Sequence, residues 1–197
     1  MASAVAAPLT LADLLPRSRM RTVALVVGFA LLTALAARFT FFLPWTPVPV
    51  SGQTFAVLLA GAGLGWQAGA ASQLLYVVLG AIGLPFYADG ASGWDVVAGP
   101  SGGYLVGFVV AAALVGRLAE RRQDRTLLTS VPAMLAGTAV IYLFGVTWLA
   151  HVLDVGAATA VEKGLAPFVI GDAIKLVAAG VLLPAAWRLA RPRDEQH

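Results

Sequence analysis

From residue 39 to residue 88 the chain carries no charged side chain. A helix of that length, rising about 1.5 Å per residue, would far exceed a bilayer core of about 30 Å. The segment must turn back on itself while staying apolar, which restricts the chain to a bundle of membrane spans. Composition agrees: 59% of the 197 residues are hydrophobic and 12% are charged, against about 45–50% and about 25% in a soluble domain. Two breaks supply the turns. PWTPVPVSG at 44–52 contains three prolines, which remove backbone donors and restrict the residues before them. Gly63-Leu64-Gly65 is the second break.

These breaks predict six spans, at 22–43, about 53–65, about 67–82, 103–118, 129–150 and 167–189. The second and third are shorter than the usual ~20 residues, which implies local thinning or shielding by neighbours. The Gly- and Pro-rich stretch 83–103 is expected as a long loop with aromatics. Residues 119–125 form a charged connector, and 151–166 a polar loop with room for a short helix. The expected fold is an all-α integral membrane protein with a single domain over 1–197. Within it, 1–21 is an N-terminal segment, about 22–189 the six-helix bundle, and 190–197 a tail. The first twenty residues lack the positive start and apolar core of a cleaved signal peptide.

The net charge of +3 comes from arginines in few places. Arg17, Arg19 and Arg21 precede the first span, and Arg117, Arg121, Arg122 and Arg125 surround the fourth connector. Arg188, Arg191 and Arg193 follow the sixth span. All ten fall on one side of a six-span topology, against Arg38 and Lys163 on the other. The positive-inside rule makes that side, with both termini, cytoplasmic. Basicity then needs no nucleic acid. The absence of Cys rules out disulfides, Fe–S clusters and thiol nucleophiles. Two distant His give no multi-His metal site.

The last span carries Asp172 and Lys175, each costing on the order of 3 kcal/mol at the centre of a membrane helix. Spaced i, i+3, they share one helix face. They form either an ion pair that glues two helices or an acceptor and donor offered to a guest. Tyr76, Tyr87, Trp94 and Tyr104 stand in or beside the outer loops. With Gln53, Gln73, Asp172 and Lys175 they can line a small apolar pocket with few convergent polar groups.

Two motifs point elsewhere. Gly61 to Gly65 is glycine-rich but is not GxGxxG and follows no strand; the small residues Ala60, Gly61, Gly63, Gly69, Ala70 and Ser72 fit close helix approach instead. Residues 99–103, GPSGG, match GxSxG, the nucleophile elbow. Six-span serine proteases of the rhomboid type place a serine similarly, but need a His on the sixth span, which has none here. A Ser101–Lys175 dyad would need a deprotonated lysine, and Asp172 beside it favours the protonated form. Ser101 reads better as the end of a Gly/Pro turn.

PVPVSGQTFAVLLAGAGLG at 47–65, Gly83-Leu84-Pro85 followed by Phe86-Tyr87-Ala88, GPSGGYLVGF at 99–108 and GDAIK at 171–175 together resemble the BioY family, the biotin-specific S-components of energy-coupling factor (ECF) transporters. The resemblance covers about 27–175 in the same order. The family often has a smaller apolar residue where Phe86 stands, and Thr where Ser101 stands.

The resemblance implies an S-component-like bundle in the bacterial cytoplasmic membrane that captures biotin from outside. It implies as partners a transmembrane coupling subunit and two cytoplasmic ATPases. No cofactor is expected: with no GxxxxGK[ST] loop, ATP use falls to the partners. In this reading the chain is not an enzyme. Asp172 accepts a ureido N–H, Lys175 donates to an oxygen, the aromatics cover the ring system, and 83–103 acts as a lid. Lys175 and backbone N–H groups near Ser101 are the candidates for the ligand carboxylate. Ala30 and Ala34 lie on one face of the first span. The family's alanine-rich AxxxA docking face implies that they meet the coupling subunit; packing inside the bundle is the alternative. An S-component for another vitamin and a solitary transporter also remain open.

Overall fold

The structure, a computed structural model, describes residues 9–16 and 18–190. Arg17, Arg191, Arg193, the first eight residues and the rest of the tail lie outside the described residues. A short 3-10 turn, Leu11–Leu14, precedes α1 (Arg19–Ala36). Ser18 caps α1 by accepting the Arg21 backbone N–H at 3.1 Å.

The first helix stops at Ala36, short of the expected 43. The chain then forms a small antiparallel hairpin of β1 (Thr40–Phe41) and β2 (Val50–Ser51), with Thr40 opposite Ser51 and Phe41 opposite Val50. The prolines between the strands prevent helix continuation, and the pairing satisfies backbone groups they leave free. Gly52 closes the hairpin against the end of α1. Its N–H donates to the Phe39 carbonyl at 3.1 Å, and a Cβ there would meet the Ala36 carbonyl oxygen at 2.9 Å.

α2 (Gln53–Leu64) and α3 (Trp66–Ala81) are joined by Gly65 alone. Its φ of +83° permits the reversal in one residue. Small residues then bring backbones together, as expected. A Cβ on Gly61 would lie 2.5 Å from the Ala112 carbonyl oxygen, and one on Gly69 would lie 2.9 Å from Gly61 Cα.

The stretch expected as a plain loop contains α4 (Trp94–Ala98), a five-residue helix. α5 (Gly102–Glu120) and α6 (Leu127–Leu153) follow. The polar loop holds α7 (Ala157–Gly164), and α8 (Val169–Ala190) completes the bundle. α5 lies at the centre, against α2, α3 and α6, with α1 outside α2 and α3 and α8 against α6 and α2. Among the described residues, α1, α5, α6 and the stretch Ala157–Ala190 are long and apolar enough to cross a membrane. α2 and α3, at 12 and 16 residues, are shorter.

The core has two layers along the bundle. Leu58, Val115, Met134 and Leu183 fill one end; Tyr76, Tyr104, Phe108, Ile141 and Phe168 fill the other. At the first end the Trp66 N–H donates to Glu120 at 3.1 Å, and Arg125 donates to the Leu9 carbonyl at 3.2 Å. The Trp187 indole donates to Asp124, and the Arg125 guanidinium stands 3.2 Å over its ring. Burial pushes the Asp124 carboxyl above its ordinary range, opposed by Trp187 and Arg125. These contacts gather the α2–α3 turn, the α5–α6 connector and the end of α8.

Of the two readings of the small-residue face on α1, packing inside the bundle describes where its side chains sit. Ala30 and Ala34 are 1% and 8% exposed and belong to the chain's own core. α2 and α3 pack against this helix. Ala24 and Gly28, a turn or so earlier, are the exposed small residues.

Candidate functional site

At the end opposite the Trp187–Asp124 contact lies a cavity of about 280 Å³. The hairpin contributes Phe42, Val48, Pro49 and Ser51 to its wall, and the stretch before α5 adds Tyr87, Asp95 and Ser101. Helices supply Gln53 and Thr54 from α2, Tyr104 and Phe108 from α5, Tyr142 from α6, and Asp172 and Lys175 from α8.

The charged pair organises the polar side. Lys175 Nζ donates to Asp172 Oδ1 at 2.7 Å, to the Ser51 carbonyl at 2.6 Å and to Thr54 Oγ1 at 3.2 Å. All three ammonium donors are thereby used. Thr54 returns its own proton to Asp172 Oδ1 at 3.1 Å, and the Tyr142 hydroxyl donates to Oδ2. A carboxylate has about four lone-pair positions, so Asp172 keeps acceptor capacity on the Oδ2 side. The pair is thus both glue and a site feature: it joins α8 to β2, α2 and α6 while facing the cavity.

The ring wall is held as firmly. The Tyr104 hydroxyl donates to the Gly164 carbonyl at 2.6 Å, and a Cβ on Gly145 would lie 2.3 Å from the Tyr104 ring. Only a glycine there admits the ring. Tyr87 donates to the Val77 carbonyl at 2.6 Å, and burial pushes its hydroxyl up to about 12.

Of the residues singled out in the sequence, Asp172, Lys175, Gln53, Tyr87, Ser101 and Tyr104 line the cavity. Tyr76 stands behind it: its hydroxyl accepts from Gln53, and its ring stacks on Phe86 and meets Tyr87 edge-on. Gln73 bonds Thr33 and Ser72 between α1 and α3. Trp94 is exposed and borders a separate surface groove beside Trp148 and His151. Lys175, with its donors committed elsewhere, is not poised as a base for Ser101. Sequence reasoning missed Thr54, Tyr142 and the Ser51 carbonyl. Thr54 and Tyr142 are the polar side chains that a buried charge pair requires nearby, and that requirement was the available clue.

A larger groove of about 690 Å³ runs along the other side of α6 and α8. Its threonines, Thr138 and Thr147, donate to carbonyls of their own helix, and apart from Tyr142 and Asp172 the rest of its lining is apolar. The smaller cavity is the candidate site because the Lys175–Asp172 pair converges on it with Ser51, Thr54 and Tyr142.

Fold and site define a class: a helical membrane protein with a cavity, sized for a small molecule and polar at one wall, near one end of its bundle. The comparisons with known proteins narrow it. The model of the BioY family matches residues 8–192, and the chain belongs to that family. The biotin transporter BioY of Rhizobium etli is 36% identical over 160 residues, covering 78% of this chain and 85% of that protein. The biotin transporter BioY of Thermotoga maritima is 40% identical over 141 residues, 71% of this chain and 81% of the relative. In three dimensions the chain matches the 2.1 Å crystal structure of the S-component for biotin from an ECF-type ABC transporter. That match has a TM-score of 0.80 at 22% identity and covers 88% of this chain and 95% of the other. The likeness establishes the fold.

Proposed function

We propose that this chain is the biotin-binding membrane subunit of an ECF transporter, taking biotin from outside the cell and passing it inward. The observation that carries the reading is Asp172: a buried carboxylate with acceptor capacity facing a cavity that is otherwise largely apolar. Family membership and the biotin transporters among its relatives support the ligand. Biotin presents an apolar bicycle, a ureido group with two N–H donors, and a carboxylate. A ureido N–H bonds Asp172; Tyr87, Tyr104 and Phe108 enclose the rings. Lys175 keeps Asp172 oriented and reaches a ligand oxygen only by releasing Thr54. Lys175 and backbone N–H groups near Ser101 are the candidates for holding the carboxylate. Gln73 and Tyr76 act at one remove, through packing, while Trp94 stands outside the cavity.

The reading includes six spans, with α2 and α3 shielded by α1 and α5 and with both termini in the cytoplasm, in one domain of the bacterial cytoplasmic membrane. Arg19, Arg21, Arg117, Arg121, Arg122, Arg125 and Arg188 flank spans on one side of that topology, and the positive-inside rule makes that side cytoplasmic. The cavity then opens outward. Transport engages a transmembrane coupling subunit and two cytoplasmic ATPases.

The test is mass spectrometry of the ligand that co-purifies with the chain from cells supplied with biotin. Stoichiometric biotin is expected. A different vitamin in its place would overturn the ligand and leave the fold.

A further inference from the structure

The hairpin that walls the cavity also turns aromatic rings away from it. Phe39 is 68% exposed, Phe41 71% and Trp45 59%. Bare apolar area costs about 25 cal/mol per Å² in water, and a contiguous patch marks a protein or membrane partner. Position in the chain selects the partner. α1 spans 18 residues, about 27 Å at 1.5 Å per residue, which matches a hydrocarbon core of about 30 Å. Arg19 and Arg21 stand at its other end. Phe39 follows the last helical residue by three positions, within about 10 Å of chain. The hairpin therefore leaves α1 where hydrocarbon gives way to headgroups. Val27, Leu31 and Leu35, spaced i, i+4, i+8, are exposed on α1 and continue the apolar surface toward Phe39. No charge from residue 39 to residue 88 opposes insertion, and aromatic rings favour that depth.

The same hairpin is fastened to the site. Its Ser51 carbonyl accepts from Lys175, and Arg38 at its base donates to the Pro85 carbonyl at 2.8 Å. We propose that Phe39, Phe41 and Trp45 seat the hairpin in the lipid headgroup–acyl boundary, so that the bilayer itself holds this flap over the cavity. Lipid is then the partner of this surface, and the opening of the flap includes the withdrawal of three rings from lipid.

The chain has no cysteine, so Phe41→Cys gives a unique attachment point for a nitroxide in the full chain reconstituted in phosphatidylcholine vesicles. Collision with oxygen should exceed collision with a water-soluble nickel chelate, in contrast to a Glu162→Cys label on exposed α7. A Phe41 label as open to nickel as the Glu162 label overturns the proposal, and one shielded from both agents overturns it in favour of a protein contact. This arm needs no biotin. The second arm rests on the biotin reading: Phe39→Ser with Phe41→Ser and Trp45→Ser should speed biotin release from vesicles severalfold. An unchanged release rate would show that the seated rings do not hold the flap.

Discussion

The Lys175 ammonium lies 2.6 Å from the carbonyl oxygen of Ser51, and so the charge pair of α8 also fastens the flap across the cavity. Its removal should act on ligand retention as well as recognition. Lys175→Met leaves Asp172 without its cation and frees β2. Breaking a buried pair by removing one partner costs about 3–5 kcal/mol, part of it in stability. Biotin binding should weaken by about 2 kcal/mol or more, with faster release in stopped-flow displacement. Normal affinity and release would reduce the pair to glue.

Asp172→Asn keeps the shape and removes the charged acceptor. The Tyr142 and Thr54 hydroxyls then face a carboxamide, and Lys175 is left unpaired. Binding should fall by about 2 kcal/mol or more, since hydrogen bonds to charged groups contribute about 1.5–3 kcal/mol. Equilibrium binding by the folded variant, its folding checked by thermal unfolding, gives the answer.

Tyr142→Phe removes only the donor to Asp172 Oδ2. The carboxylate becomes freer to rotate, and affinity should drop by about 1–2 kcal/mol while the fold survives. Combined with Asp172→Asn, the losses should not add, because both changes cut the same bond. Additive losses would place Tyr142 in an independent role.

Ala30→Trp puts a large ring into a core position that is 1% exposed. Overpacking costs about 1–3 kcal/mol or more, so the unfolding temperature should fall sharply and biotin binding should weaken with it. A stable variant that binds biotin but no longer supports uptake would mean that this face docks a partner after all.

Ser101→Ala should keep biotin binding, and a fluorophosphonate probe should not label Ser101 in the parent chain. Labelling that the substitution abolishes would reopen the hydrolase reading.

Much of the fold is legible in the sequence because its punctuation is chemical. The prolines at 44–52 and Gly65 mark reversals of the chain, and Asp172 and Lys175 stand out against an apolar span. What escapes is what lipid makes silent. Ala30 and Ala34 face inward while Leu31 and Leu35 face outward, yet core and hydrocarbon are equally apolar, so no periodicity separates the faces. Tyr142 is one hydroxyl in a long apolar helix, and only the fold brings it to Asp172, thirty positions away. Two-residue strands have no pattern to read, which is why the sequence predicts a first span that continues to 43. Gln73 and Tyr76 are polar and intramembrane like the residues that line the cavity, but their partners are other buried side chains.

The central claim is that this cavity takes biotin. Calorimetric titration of biotin into the purified chain tests it most directly. The account predicts a saturable exotherm with one biotin per chain, while thiamin and riboflavin give none. No heat and no thermal stabilisation with biotin, alongside a saturable response to another vitamin, would contradict it.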